Sequence, residues 1–152
     1  MNEQDVPSAK EAEAFVTIDG RRYPALFAKN FEGKANLSSK EIALLGKIIK
    51  GRKVTGMEVK CKMTIYKCTE IFDKLVTKYK DTGHLPVFEV QTTNNDEATC
   101  MGRSTKIYKN CVIDGDVLLS IFDAEGGFIE QEINFYAMDY SSPESYKEPS
   151  YL

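Results

Sequence analysis

The sequence predicts a mainly β protein, a β-barrel or sandwich with one α-helix packed on it. Met57, Val59, Cys61, Met63 and Ile65 alternate with Glu58, Lys60, Lys62, Thr64 and Tyr66 in a long period-two run. At Thr69 the period turns helical, with Ile71, Phe72, Leu75, Val76 and Tyr79 on one stripe and Glu70, Asp73, Lys74 and Lys78 outside it. Elsewhere, short apolar runs are separated by Asp-Gly and Gly-Gly turns.

Residues 1–14, MNEQDVPSAKEAEA, are polar and acidic and read as a flexible N-terminal arm. Residues 15–18 and 23–27 form a hairpin about Asp19-Gly20, whose second strand is read as continuing through 31–37. Residues 37–56, LSSKEIALLGKIIKGRKVTG, sustain neither period. Their apolar cluster of Ile42, Leu44, Leu45, Ile48 and Ile49 is broken by Gly46 and ended by Gly51-Arg52-Lys53. A structureless connection this long is either functional or disordered, and its apolar content argues against disorder. It reads as one long loop.

In the helix, Thr69 is placed to cap the start, Glu70 and Asp73 suit its positive end, and Gly83 is placed to close it. Beyond it, 86–91 reads as a strand, 92–99 as a polar turn, and 100–113 as another strand. Asp114-Gly115-Asp116 turns the chain into a strand over 117–122, and Gly126-Gly127 turns it into a last strand over 128–138. On that last strand Ile129, Ile133 and Phe135 face one way, and Glu130, Glu132 and Asn134 the other. Residues 141–152 are Pro- and Ser-rich and read as an extended C-terminal tail. With 152 residues and no internal repeat, the expectation is a single domain, 1–152.

Composition narrows the function. The chain is 42% hydrophobic and 28% charged, ordinary for a globular protein. No stretch approaches ~18 uninterrupted apolar residues, and the N-terminus lacks the basic start and apolar core of a signal peptide. An intracellular protein without a membrane partner is expected, its cysteines at 61, 68, 100 and 111 reduced. Net charge is −3 but uneven. Residues 21–56 hold nine Lys or Arg against Glu32 and Glu41, a balance of +7; residues 84–152 hold four against twelve acids, a balance of −8. Such polarity suits head-to-tail self-association.

No catalytic residue, metal or cofactor is expected. His84 is the one histidine and sits in a Gly-His-Leu-Pro turn, with no G-x-S-x-G elbow to pair with it. The cysteines are spaced too widely for a zinc site, and Asp114-Gly115-Asp116 lacks the ligand pattern of a calcium loop. Neither phosphate-binding glycine motif occurs. Glu130 and Glu132 share a strand face, the ordinary wet side of a sheet. The basic run Lys47, Lys50, Arg52, Lys53 has aliphatic rather than aromatic neighbours, which argues against nucleic-acid recognition.

The order of parts carries a resemblance. A β-hairpin is followed by the basic-apolar loop ending in GRKVTG, then by MEVKCKMTIYKCTEIFDKLVTKYKDTG, PVFEVQTTNND, IYKNCVIDG and the closing FIEQEINFYAMDYSSPESYKEP. This resembles the tail tube proteins of contractile-tailed phages and phage-like elements of Gram-positive bacteria, over nearly the whole chain beyond the first dozen residues. The resemblance implies a β-barrel or sandwich flanked by a helix, assembled as stacked hexameric rings with a helical twist inside a contractile sheath. It implies as partners the chain itself, the sheath protein, the tail tip or baseplate and the tail terminator, with DNA only as passing cargo. In a headless particle the lumen would carry nothing or ions. The particle would assemble in the bacterial host cytoplasm.

In that frame Leu44, Leu45, Ile48 and Ile49 are expected to bury against a neighbouring subunit, with Lys50, Arg52 and Lys53 meeting acids; the competing expectation is a lid over the subunit's own core. Glu130, Glu132 and Asn134 are the expected lumen face, set against a competing polar face with Lys60 and Lys62. The alternative function is a monomeric small-ligand-binding β-barrel, and a thiol-dependent enzyme is a distant third.

Overall fold

Antiparallel pairing accounts for the whole sheet. The structure, a computed structural model, describes residues 12–24, 28–67, 70–94 and 102–145. Its elements run β1 (Ala12–Ile18), β2 (Arg21–Pro24), β3 (Ala28–Ile42), β4 (Gly51–Tyr66), α1 (Ile71–Thr82), β5 (Phe88–Asn94), β6 (Ser104–Ile113) and β7 (Glu130–Glu144). All seven strands form one sheet, ordered β2-β1-β5-β6-β7-β4-β3. No helix of the described residues is long and apolar enough to cross a membrane.

The mainly β architecture with one packed helix is the predicted one, realised as a single curled sheet rather than two facing layers. The curl follows from distances. In a flat sheet β3 and β6, three places apart, would lie roughly 14 Å from each other. Yet the rings of Phe31 on β3 and Tyr108 on β6 are 5.6 Å apart, and Phe31 is 6.1 Å from Phe135 on β7. The aromatic chain continues from Phe135 to Phe88 at 5.2 Å and from Phe88 to Phe72 of the helix at 5.8 Å. Around it pack Val16, Cys61, Met63, Leu75, Val90, Cys111 and Ile133, all buried.

Local chemistry places the elements. Asp19 and Gly20 both have positive φ, at 51° and 78°, the twist a two-residue hairpin turn needs. The helix buries Phe72 and Leu75 and ends at Gly83, in the left-handed conformation with its N–H donating to Tyr79 O at 2.7 Å. Glu70 occupies the N-cap without a side-chain hydrogen bond, and the predicted cap Thr69 lies outside the described residues.

Several predicted boundaries move. Residues 12–14, read as part of a flexible arm, belong instead to β1, with Ala12 opposite Asn94 on β5. Likewise 92–94 extend β5, and 141–144 extend β7 against β6. The strand read over 100–113 begins at Ser104; Cys100 and residues 1–11 and 146–152 lie outside the described residues. The strand read as continuing from the first hairpin is instead β3, a separate strand paired, among the described residues, with β4 alone. No strand forms over 117–122. β6 is flanked by β5 and β7, and β7 over residues 130–137 by β6 and β4, so the segment between them finds no open edge on the strands it directly joins there.

Gly33 explains how β3 closes over the core. A Cβ there would sit 2.5 Å from the Tyr108 hydroxyl and 2.8 Å from its ring carbon. Gly33→Ala is expected to cost about 1–3 kcal/mol in urea or thermal unfolding through overpacking, with Tyr108→Phe recovering part of the loss. Burial also pushes the Cys61 and Cys111 thiols and the Tyr108 phenol up to about 12. The folded chain therefore resists ionising these groups. The stability they contribute is complete well below about pH 9, where an unfolded thiol is half ionised, and is lost as pH rises toward about 12. Below pH 9, mass-spectrometric mapping after iodoacetamide should find Cys61 and Cys111 unmodified in folded protein and modified in urea.

Candidate functional site

The residues predicted to join subunits lie on a β-hairpin arm, which corrects the reading of 37–56 as one long loop. Ser38 to Ile42 pair with Gly51 to Gly56 across a bulge between Ser38 and Ser39, leaving only 43–50 outside strands. The ladder between β4 and β7 runs from Val59–Ala137 to Tyr66–Glu130. Upstream of Val59, β4 is paired with β3 alone, and its first eight residues are exposed. At strand rise this carries the arm on the order of 25 Å beyond the sheet. The sequence shows no period there because neither face of the arm is buried, and periodicity reports one-sided burial.

At the tip, Gly46 has φ 79° and Lys47 N–H donates to Leu44 O at 3.4 Å. Leu45 and Ile48 are fully exposed, Ile49 is 86% exposed and Leu44 53%. They touch nothing of their own core, so the lid expectation is not what the chain adopts. Lys50 pairs with Glu41 at 3.2 Å, and Arg52 Nε donates to Ser39 Oγ at 3.1 Å. Lys53 stands opposite Lys40, a like-charge pair that costs stability in isolation. An unsupported two-stranded hairpin is marginal in water, and this one also exposes its aliphatic side chains.

Glu130, Glu132 and Asn134 do lie on the outer face of β7. The competing Lys60 and Lys62 face is not a separate one. Lys62 is opposite Asn134, and Thr64 is opposite Glu132, so both sets share one surface. Lys62 Nζ lies 3.4 Å from Glu132 Oε1, and Lys29 Nζ lies 3.2 Å from Glu130 Oε1. Glu32 and Lys34 of β3, paired with each other, and Glu58 of β4 complete the face. Four acids (Glu32, Glu58, Glu130, Glu132) thus meet four lysines (Lys29, Lys34, Lys60, Lys62). The face that carries Glu130, Glu132 and Asn134 is a charge-balanced lattice. One chain in isolation hides this, because it does not reveal that β4 and β7 are neighbours.

The alternating residues that a ligand-binding barrel would place around a cavity instead pack together: Cys61, Met63, Ile133 and Phe135 are completely buried. An open depression of about 260 Å³ lies elsewhere, lined by Thr17, Val87, Phe88, Glu89, Lys109 and Asn110. The described residues hold no cluster of three or more His, Cys, Asp or Glu side chains arranged for a metal ion.

Sequence reasoning missed a second exposed apolar surface, the connection 114–129. Leu119, Ile121, Phe122 and Phe128 are all exposed there. The signal available was the run Val117-Leu118-Leu119-Ser120-Ile121-Phe122, which is apolar without alternating and so fits no half-buried strand.

Apolar groups held clear of the core at the ends of a rigid, curled sheet define a structural building block. The comparison of sequences makes the class definite: the chain belongs to the phage tail tube protein family, matching it over residues 1–144. It is a structural tail tube subunit of a virion or phage-like particle. It is 26% identical over 144 residues to the phage-like element PBSX protein XkdM of Bacillus subtilis (strain 168), covering 95% of each chain. It is 25% identical over 147 residues to an uncharacterized protein of the same strain, YqbM, covering 97% of each. Among solved structures the fold is similar to a chain of the anti-feeding prophage tube-terminating cap, with TM-score 0.62 and 10% identity over 87% of this chain and 88% of that one. It is similar also to a chain of the sheath-tube complex of an extracellular contractile injection system, PVC, in the extended state, with TM-score 0.61 and 12% identity over 87% and 88%.

If the arm serves contacts between copies, its tip is dispensable for folding. Ile48→Asp with Ile49→Asp should change unfolding free energy by no more than about 0.5 kcal/mol, measured by urea denaturation.

Proposed function

We propose that the chain forms hexameric rings that stack with a helical twist into the tube of a contractile tail, and that it contributes no catalysis. The observation that carries this reading is the arm: a β-hairpin presenting Leu44, Leu45, Ile48 and Ile49 to solvent, away from its own core. Burying such side chains stabilises an interface by roughly 1.5–3 kcal/mol each, and none of the described residues of its own chain covers them. Lys50, Arg52 and Lys53 flank the apolar tip and set its charge. Among the described residues the outer edge of β3 has no partner, and its row of backbone groups is one that a neighbouring strand satisfies in a continuous β wall. Sheath protein, baseplate or tip, and terminator are the proposed partners, and the host cytoplasm the place of assembly.

Electron microscopy of concentrated purified protein tests the reading. Stacked rings or hollow tubes are expected, and a strictly monomeric protein that cannot enter tails would defeat it. Deleting 42–53, or combining Ile48→Asp with Ile49→Asp, should give folded protein that no longer polymerises.

The outer face bearing Glu130, Glu132 and Asn134 is the proposed lumen lining. Its balanced lysines and glutamates leave little net field for a passing polyanion, which neither sticks nor is strongly repelled. Glu130→Lys with Glu132→Lys leaves Lys29 and Lys62 unpaired on a positive strip. Tubes carrying both changes should eject DNA more slowly than wild type at low salt, with the difference shrinking as salt rises. Equal ejection rates at low salt would move the lumen to another face.

A further inference from the structure

The connection 114–129 is exposed but held in place. Lys67 N–H donates to Ile129 O at 2.8 Å, and the Lys67 ammonium donates to Leu118 O while pairing with Asp73 at 2.9 Å. Phe128 stands edge-on to Tyr66, ring centres 6.2 Å apart, and Gly126 N–H donates to Asp123 O at 3.2 Å. The result is a built apolar surface that the described residues leave open, with Phe122 97% and Phe128 90% exposed. Single exposed apolar residues are common, but four in one connection, Leu119, Ile121, Phe122 and Phe128, mark an interaction site.

Charge indicates what covers it. From 114 to 130 the chain carries Asp114, Asp116, Asp123, Glu125 and Glu130 and no Lys or Arg. Among the described residues the first four of these make no ion pair. The arm has the opposite character: Lys40, Lys47, Lys50, Arg52 and Lys53 against Glu41, with Lys40, Lys47 and Lys53 in no ion pair among the described residues. The two surfaces also sit at opposite ends of β4. The arm tip precedes Gly51, whereas the acidic connection is fastened beside Tyr66 and Lys67, sixteen strand residues away. That separates them by on the order of 50 Å.

We infer that these two ends fit each other between copies: the basic apolar arm tip of one subunit seats on the acidic apolar 114–129 surface of the next. The apolar groups supply the stabilisation and the charges set register and encounter rate. Because the matching surfaces differ and lie at opposite ends, the contact is heterologous and repeats instead of closing between two molecules. The inference rests on the tube-subunit reading for the polymer and adds the acceptor of the arm.

Full-length chains carrying Asp116→Lys with Glu125→Lys, or Lys47→Glu with Lys53→Glu, are compared with a chain carrying all four changes. Phe122→Asp is the apolar counterpart, and circular dichroism confirms that each variant is folded. The concentration at which tubes appear should rise at least about tenfold for each pair alone and for Phe122→Asp, and return to within about threefold of wild type in the four-change chain. A second readout uses Ile48→Cys with Phe122→Cys. A disulfide needs Cα atoms within about 7 Å, so oxidation of these two within one chain is excluded by geometry and any bridge between them joins two copies. That bridge, mapped by mass spectrometry in oxidised tubes, is expected. If wild type forms tubes while the acceptor variants polymerise equally well, or the bridge is absent, the acceptor assignment is overturned and the tube reading stands. If wild type forms no tubes under any condition, the tube reading itself falls, and the acceptor with it.

Discussion

The antiparallel ladder between β4 and β7 is the contact on which the rest of the molecule depends. Its register, Val59 opposite Ala137 through Tyr66 opposite Glu130, sends Cys61, Met63, Ile133 and Phe135 to one side and Lys62, Glu132 and Asn134 to the other. A slip of one residue would exchange the two sets and bury lysine and glutamate where the core now packs. The same ladder sets where β4 leaves the sheet, because the arm begins where β7 ceases to be its partner. Core, charged face and arm are three consequences of one pairing.

The helix and the edge strand complete what the ladder begins. Phe72 and Leu75 cover one part of the core while Phe31 closes another, joined through Phe88, Phe135 and Tyr108. The curl that lets Phe31 reach Tyr108 also requires Gly33, since any side chain there would meet the tyrosine. Such a frame suits a tail tube subunit: it sets the arm and the 114–129 connection at opposite ends of β4. A soft frame would pay the entropy of ordering both at each assembly step.

Apolar side chains are divided between two tasks. Those facing into the curl stabilise the subunit, while Leu45, Ile48 and Phe122 stand almost fully exposed and add nothing to its core. The charged face is economical in a different way. Lysines and glutamates alternate across β3, β4 and β7 and neutralise one another locally, so the long-range polarity of the chain comes from the arm and the 114–129 connection. Polarity at the ends and neutrality along the face are separate properties of one sheet.

How much of this is legible from sequence follows from what burial imprints on it. The core half of β4, the stripe of Phe72 and Leu75, the Asp19-Gly20 turn and Gly83 are all readable, because one-sided burial and positive φ leave local signatures. The order of these parts was enough to indicate the tail tube family. Three features were not readable. The strands of the arm carry no period because both of their faces meet solvent. Residues 117–122 resemble a strand in composition, but the strands they directly join, β6 and β7, pair with each other and with β5 and β4. Lys62 and Glu132 sit far apart in the chain, and only strand order makes them neighbours. By itself the sequence determined which segments bury one face and where the chain turns, since those are properties of adjacent residues. Which strands lie side by side, whether the lysines and glutamates cancel, and which apolar groups remain uncovered were decided by the tertiary structure, because they depend on residues distant in sequence meeting across the sheet.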